Sequence, residues 1–343
     1  MRILHTADVH LSTDHPERTE ALEEVLKKAE KEDADLLTIS GDLFDSPEDA
    51  EKMRPRVREL FSGNSFPVVA IPGNHDSEVY RDSKNFGEDI DVLVDQPLDS
   101  EEVEEESFTG VPFRSEMDEE LFSALKQDGS DVLLLHCTID GGFHSDDCGD
   151  ENLYFPVDRS TLSELDYSFI LAGHIHSRDR EIALENGTFI YPGSPVSVSS
   201  SEEGKRHAVL VDTEDESVSP VELDSFYHDS FRRTISPGEA GEVLEELERW
   251  VSRREDDRCS PEIVLDGFTE MEEQDFSERL EEATGDFEPE DRTRSAAEVM
   301  DHPLYRRFTE KMESREAEEG ERAREQVIEV LSDLIVSGEV KPE

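Results

Sequence analysis

The stretch Asp35-Leu-Leu-Thr-Ile-Ser-Gly-Asp-Leu-Phe-Asp45 decides the fold. Residues 35–40 place Leu36, Leu37 and Ile39 on both faces of an extended chain, which reads as a buried β-strand. Gly41-Asp42-Leu43-Phe44-Asp45 follows at once, so two carboxylates stand at the strand's carboxyl end. In an α/β sheet the carboxyl ends of strands converge on one edge, and ligands bind there.

Outward from this stretch the pattern recurs. A strand over Arg2 to Ala7 runs into Asp8-Val9-His10, and one over Phe66 to Ile71 into Gly73-Asn74-His75-Asp76. A strand over Asp131 to Leu135 ends at His136, and one over Tyr167 to Ala172 at Gly173-His174-Ile175-His176. Between them, Glu17 to Lys31 places Ala21, Leu22, Val25, Leu26 and Ala29 on one helical face. Pro47 to Phe61 and Met117 to Gln127 read as further helices, and Phe108 to Val111 as a strand. Glu101 to Glu106 reads as a solvated acidic loop. Beyond Ala172 the rhythm changes to short strands at 180–184, 188–191, 206–211 and 218–223. The expected class is α/β: two packed sheets with helices outside.

A boundary is expected near Asp224 to His228. After it, Ser230 to Ile235, Ala240 to Arg253, Glu262 to Phe268 and Gln274 to Ala283 spell strand, helix, strand, helix. Asp286 to Arg294 reads as a linker or an edge strand. The remainder is helical, with Val327, Val330, Leu331, Leu334 and Ile335 forming one apolar stripe. The expected domains are 1–225, 226–290 and 291–343.

Composition bounds the partners. Among 343 residues there are 89 Asp+Glu against 34 Lys+Arg, a formal charge of -55. A globally basic nucleic-acid binder is excluded, so any DNA contact must come from local patches or metal ions. No run approaches the ~20 apolar residues of a membrane span, and no signal peptide is visible at Met1 to Asp8. A cytoplasmic location with reduced thiols at Cys137, Cys148 and Cys259 is expected. The acids are spread over every surface segment, and the cations are 25 Arg with only 9 Lys. That pattern fits a halophilic surface, where salt screens the repulsion.

Asp8, His10, Asp42, Asn74, His136, His174 and His176 are N and O donors with no thiolate among them. Such a set suits Mn²⁺, Fe or Zn²⁺ and argues against an iron–sulfur or structural zinc site. Seven donors are too many for one ion and about right for two that share a carboxylate. Taken singly each segment is weak: Gly-Asn-His-Asp is commonly a turn, and His136 alone reads as a satisfied core histidine. Five such segments in this order, each at a strand end, outweigh that bland reading.

The ordered set D-x-H, G-D-x-x-D, G-N-H-D, H, G-H-x-H resembles that of the calcineurin-like metallophosphoesterases. Within them the chain looks like the SbcD-type DNA-repair exonucleases. His5 to Leu11, Gly110-Val-Pro-Phe113, Tyr191-Pro-Gly-Ser-Pro195 and Gly204-Lys-Arg206 carry that narrower likeness. Ser12 stands where the family often has Gly. The resemblance covers residues 1 to about 225; the 226–290 unit matches the family's DNA-contacting capping domain in pattern only. It implies a four-layer fold and two divalent ions, with Mn²⁺ as the expected pair. Asp8, His10 and His176 would hold the first, Asn74, His136 and His174 the second, and Asp42 would bridge. His75 would act at the phosphate as acid or charge stabiliser, oriented by Asp45.

The resemblance further implies DNA as substrate, an SMC-like ABC ATPase as partner, and a homodimer through helices of the nuclease domain. The function expected is a Mn²⁺-dependent exonuclease/endonuclease of double-strand-break repair. A stand-alone phosphodiesterase or phosphatase of nucleotides shares the metal site but needs neither capping unit nor partner helix. A non-catalytic scaffold is disfavoured, because every metal position holds a competent residue. Arg54, Arg56, Arg58, Arg178, Arg180, Arg232, Arg233, Arg306 and Arg307 are candidate groove arginines, most of them expected to be solvated or paired to acids.

Overall fold

The structure is a computed structural model, and it describes residues 1–82, 85–139, 154–177, 180–254, 257–301, 303–312, 326–328 and 330. It divides into two compact units, Met1–His228 and Asp229–Glu343.

In the first unit the strands are β1 (Arg2–Thr6), β2 (Leu36–Ser40), β3 (Val68–Ile71), β4 (Ile90–Val92), β5 (Asp99–Val103), β6 (Glu106–Gly110) and β7 (Val132–His136). They continue as β8 (Thr138–Ile139), β9 (Pro156–Val157), β10 (Phe169–Gly173), β11 (Arg180–Ala183), β12 (Thr188–Tyr191), β13 (His207–Asp212) and β14 (Ser217–Glu222). One sheet has the order β14-β13-β1-β2-β3-β4 and the other β11-β12-β10-β7-β6-β5, with β8 and β9 a separate pair. β1, β2, β3 and β4 run parallel, as do β6, β7, β10 and β12, so their carboxyl ends share an edge.

Period-two alternation explains the layers. Ile3, Leu36, Val69, Val132, Leu134, Phe169 and Leu171 fill one core between the two sheets. Their neighbours Leu4, Leu37 and Ile39 turn the other way, onto α1 (Pro16–Lys31) and α2 (Pro47–Leu60). Leu133, Leu135, Ile170 and Ala172 turn onto α3 (Glu119–Leu125) and α4 (Arg159–Ser163). Both faces of each central strand are therefore apolar, as the run at 35–40 predicts. The helix starts are set locally. Ser46 Oγ accepts from the Asp49 amide at 3.2 Å, and Pro47 opens α2.

The acidic run at 101–106 is not a loop. Asp99–Val103 is an edge strand, antiparallel to β6 with Glu101 opposite Phe108, and Glu104 takes the turn at φ 57°. Val103 packs toward the inter-sheet core while Glu101 and Glu102 stay exposed. Charges on an outermost strand deter further strand pairing, so an acidic sequence is compatible with that position. The strand at 90–92 also lies inside a stretch that reads as merely polar.

The second unit contains β15 (Tyr227–Ile235), which begins two residues before the boundary, α5 (Ala240–Val251), β16 (Cys259–Thr269), α6 (Glu273–Thr284) and β17 (Glu290–Ser295). The sheet order is β15-β16-β17, and β17 pairs parallel with β16, so residues 290–295 take the edge-strand alternative. Leu244, Leu247, Phe276 and Leu280 form its core with Ile263 and Leu265. α7 (Ala297–Asp301) and α8 (Pro303–Met312) follow. Ile328 is buried with Phe268, Ala296, Val299 and Tyr305, with Val327 alongside, whereas Val330 is exposed. Leu331, Leu334 and Ile335 of the expected stripe lie outside the described residues, as do Cys148 and Arg178.

Candidate metal centre

The five segments meet. Asp8 and His10 leave β1, Asp42 leaves β2, Asn74 and His75 leave β3, His136 ends β7, and His174 and His176 leave β10. The loops are laced together by backbone: the Asp8 amide donates to Gly41 O and the His10 amide to Asp42 O, at 3.1 and 3.0 Å. Asp8, His10, Asp42 and His174 all have positive φ (55°, 50°, 49° and 98°). Non-glycine residues held there cost ~1–3 kcal/mol each, and such strain clusters at functional sites.

The glycines serve close approach more than turning. A Cβ on Gly41 would sit 2.1 Å from His136 Nδ1, on Gly73 2.1 Å from Asp42 Oδ1, and on Gly173 2.0 Å from Ser40 O. Of the three, only Gly41 has a left-handed φ, 91°. Gly73 and Gly173 lie outside the left-handed region, so their need is space.

Asp8 and Asp42 are completely buried. Asp8 accepts the His174 amide on both carboxylate oxygens, at 3.0 and 2.9 Å. Asp42 Oδ1 accepts the His75 amide at 2.8 Å, while Oδ2 lies 3.2 Å from His136 Nε2 and accepts no well-formed hydrogen bond. Burial raises the Asp8 carboxyl above the usual range, against the pull of His176 and His136. Burial would raise Asp42 too, but His136 outweighs it, with His10 and His75 adding, and holds that carboxyl well below the usual range. His136 answers: burial lowers it, yet Asp42 and Asp8 push it up to about 10. Its Nδ1 donates to Ser40 O at 2.9 Å, and Nε2 is 2.9 Å from Asn74 Oδ1. The His174 ring packs edge-on against His136, centroids 5.2 Å apart.

The donors fit a divalent metal. Asp8, His10 and His176 form one group whose ligand atoms lie within 4.8 Å of one another, and Asp8, Asp42 and His136 form another. His176 Nδ1 faces Glu202 Oε1 at 3.1 Å and His10 Nδ1 faces Asp45 Oδ1 at 3.3 Å. A carboxylate only accepts, so the Glu202 contact assigns the His176 proton to Nδ1, whereas His10 Nδ1 makes no well-formed hydrogen bond. His176 Nε2 then presents its lone pair 3.2 Å from His10 Nε2, a spacing that matches two ligands of one cation. Two nitrogens bonded to one ion at ~2.1 Å stand ~3.0–3.4 Å apart.

His75 lies beside these donors, its ring 4.7 Å from that of His10. Its Nδ1 is 3.0 Å from the Asp45 carbonyl. The backbone of Asp45 thus orients His75. The Asp45 carboxylate faces His10 and accepts from Arg18 at 3.0 Å. The His10 contact, with Arg18 adding, overrides partial burial and holds Asp45 down at about 2.

Three site residues escaped the sequence reading. Asp76 accepts from the Gly73 and Phe44 amides (2.8 and 3.2 Å) and from the Tyr80 hydroxyl (3.0 Å), tying two ligand loops together. Burial, with Asp42 nearby, pushes it up to about 7. The second is Arg18, which also donates to His10 O. The third is Glu202, which burial would raise but which His176 and Arg206 hold down at about 2. Asp76 belongs to a quoted motif; Arg18 and Glu202 had no signal beyond being ionisable. Of the groove arginines, Arg54, Arg56, Arg232 and Arg233 are paired to Glu51, to Glu23 and Glu59, to Glu262 and to Glu246. Among the described residues no helix is long and apolar enough to cross a membrane.

The chain is similar to several known proteins. The chain is 25% identical over 260 residues to the SbcD component of the nuclease SbcCD from Staphylococcus epidermidis, a match covering 61% of this chain and 66% of that protein. The match thus spans just under two thirds of the relative's own length. Among solved structures, a dimetal phosphatase from Danio rerio aligns over 65% of this chain and 96% of its own at 12% identity and a TM-score of 0.44. The phosphoesterase Yfce of E. coli aligns over 65% and 100% at 17% identity and a TM-score of 0.31. The model of the calcineurin-like phosphoesterase family matches residues 1–178. That span is more than half of the chain and includes all seven donors, and the chain belongs to this family.

Proposed function

We propose that the chain is a DNA nuclease of double-strand-break repair, cutting phosphodiester bonds as an exonuclease and endonuclease with Mn²⁺, together with an SMC-like ABC ATPase. The observation that carries this reading is the pair of donor groups, Asp8–His10–His176 and Asp8–Asp42–His136, at the strand ends of two sheets, in a chain similar to a component of a known nuclease. Asp8, His10 and His176 would hold one ion, Asn74, His136 and His174 a second, with Asp42 between them. Such a pair supplies positive charge at the phosphoryl oxygens and makes water nucleophilic at neutral pH.

The chain's own groups do the rest. Asp45 O can only accept, so His75 Nδ1 carries a proton. His75 therefore protonates a departing oxygen from Nε2 only as the imidazolium, and the same charge stabilises the transition state before transfer. Glu202 holds His176, and Ser40 O holds His136.

With -55 formal charges, surface arginines paired to acids and salt-screened attraction, DNA is engaged mainly through the metals and the partner. The residues 226–290 would cap the DNA, and residues 291–343 would dock the ATPase, helix in groove. The proposed protein is halophilic, cytoplasmic and homodimeric through nuclease-domain helices. The test is cleavage of single- and double-stranded DNA in concentrated KCl with Mn²⁺, Mg²⁺ or EDTA. Cleavage with Mn²⁺ that EDTA abolishes is expected. Hydrolysis of nucleotides with DNA untouched overturns the reading.

A further inference from the structure

Resting on the metal-site reading above, we infer that Glu202 is a positioning residue of the first metal site, fixing the tautomer and ring plane of His176. Glu202 is 7% exposed and lies in the loop after β12. Its Oε1 takes His176 Nδ1 at 3.1 Å, and its Oε2 accepts from the Val198 amide at 2.9 Å and Ser194 Oγ at 3.2 Å. The carboxylate is itself held on both oxygens, Oε1 accepting also from Ser199 Oγ at 3.3 Å, so it can hold the ring. The loop is anchored in turn: Ser197 Oγ donates to Glu202 O and accepts the His228 amide at 3.2 Å. Arg206, 3% exposed, donates to His176 O and to Ser194 O. Side chain and backbone of His176 are thus clamped from one loop.

The consequence is an asymmetry between the two sites. In the first, His176 is backed by the Glu202 carboxylate, and the Asp45 carboxylate lies 3.3 Å from His10 Nδ1 without a well-formed hydrogen bond. In the second, His136 is backed by a neutral carbonyl, that of Ser40, and Asn74 contributes no charge. A carboxylate behind an imidazole raises its basicity as a ligand, and removing such a partner costs ~10–100-fold in metal affinity. The first site is therefore the tighter one, and Glu202 is part of the reason.

The test is a Mn²⁺ titration of the full chain in concentrated KCl, read by calorimetry and by the resonance of free Mn²⁺. Wild type should show a tight and a weaker step. Glu202→Ala should weaken the tight step by ~10–100-fold and leave the weaker step within about twofold. Glu202→Gln keeps an acceptor and loses the charge, so it should fall between them. The melting temperature of each EDTA-treated chain reports folding separately. If the alanine chain fails to fold, the glutamine chain decides. Tight-step affinity unchanged in Glu202→Gln overturns the inference alone. A wild-type chain that takes up no Mn²⁺ overturns the metal-site reading and this inference with it.

Discussion

His136 Nε2 lies 3.2 Å from Asp42 Oδ2, and both side chains are buried at the meeting of two strand ends. In the metal-free chain this contact keeps His136 protonated up to about 10. A histidine must shed that proton to bind a metal. Mn²⁺ affinity should therefore rise as pH climbs through 7, 8 and 9, with proton release on binding. Calorimetry in buffers of different ionisation enthalpy measures that release.

The same pair fixes the pH dependence of metal-free stability. The His136 pKa is raised above its unfolded value of ~6.5. Its contribution is complete below that value and is lost as pH rises through about 10. Urea denaturation of EDTA-treated chain between pH 6 and ~10 should show falling stability on the alkaline side. The trend should vanish in His136→Gln.

His75 separates chemistry from binding. His75→Ser should leave Mn²⁺ content intact while lowering cleavage ~10²–10⁴-fold, because a positioned acid and charge stabiliser is gone. Metal content by elemental analysis, beside single-turnover rates, distinguishes this from loss of an ion. A variant with a near-wild-type rate removes His75 from the mechanism.

Gly173→Ala tests the close packing of the strand ends. The new Cβ would sit 2.0 Å from Ser40 O, the acceptor of His136 Nδ1. Overpacking of this kind costs ~1–3 kcal/mol or more. The variant should melt earlier and bind Mn²⁺ more weakly at the second site. Gly63→Ala, where no atom lies within 4 Å but φ is 89°, should cost only local backbone strain and leave the metal untouched.

Where the residues carried the structure themselves, the sequence was legible. The runs at 35–40 and 131–135 are apolar on both faces, so strand, burial and layer order followed from them. Each donor stands within a few residues of such a strand's end, and the shared edge of parallel strands made their meeting predictable. What failed was whatever depends on which particular partner a residue faces. Glu101 and Glu102 form a strand because Phe108 and Ser107 lie opposite them. The role of Glu202 exists only because His176, 26 positions earlier, turns Nδ1 toward it. Asp45 meets His75 through its backbone carbonyl, a matter of loop geometry that residue types do not encode.

Salt tests the acidic surface. With 89 acids against 34 Lys+Arg, repulsion opposes the compact state until counterions screen it. The chain should be folded above ~1 M KCl, where the Debye length is ~3 Å, and loosen on dilution. Circular dichroism between about 0.05 and 2 M KCl reads the transition. Equal folding at both ends contradicts the halophilic reading.

The central claim is that seven residues from five strand ends build a two-ion centre. Its most direct measurement is the number of Mn²⁺ ions held per chain at saturation, in wild type and in Asp42→Ala. The account predicts two ions in wild type and loss of both in Asp42→Ala, because Asp42 stands between the groups around His10 and His136. One ion or none in wild type at saturating Mn²⁺ would contradict it.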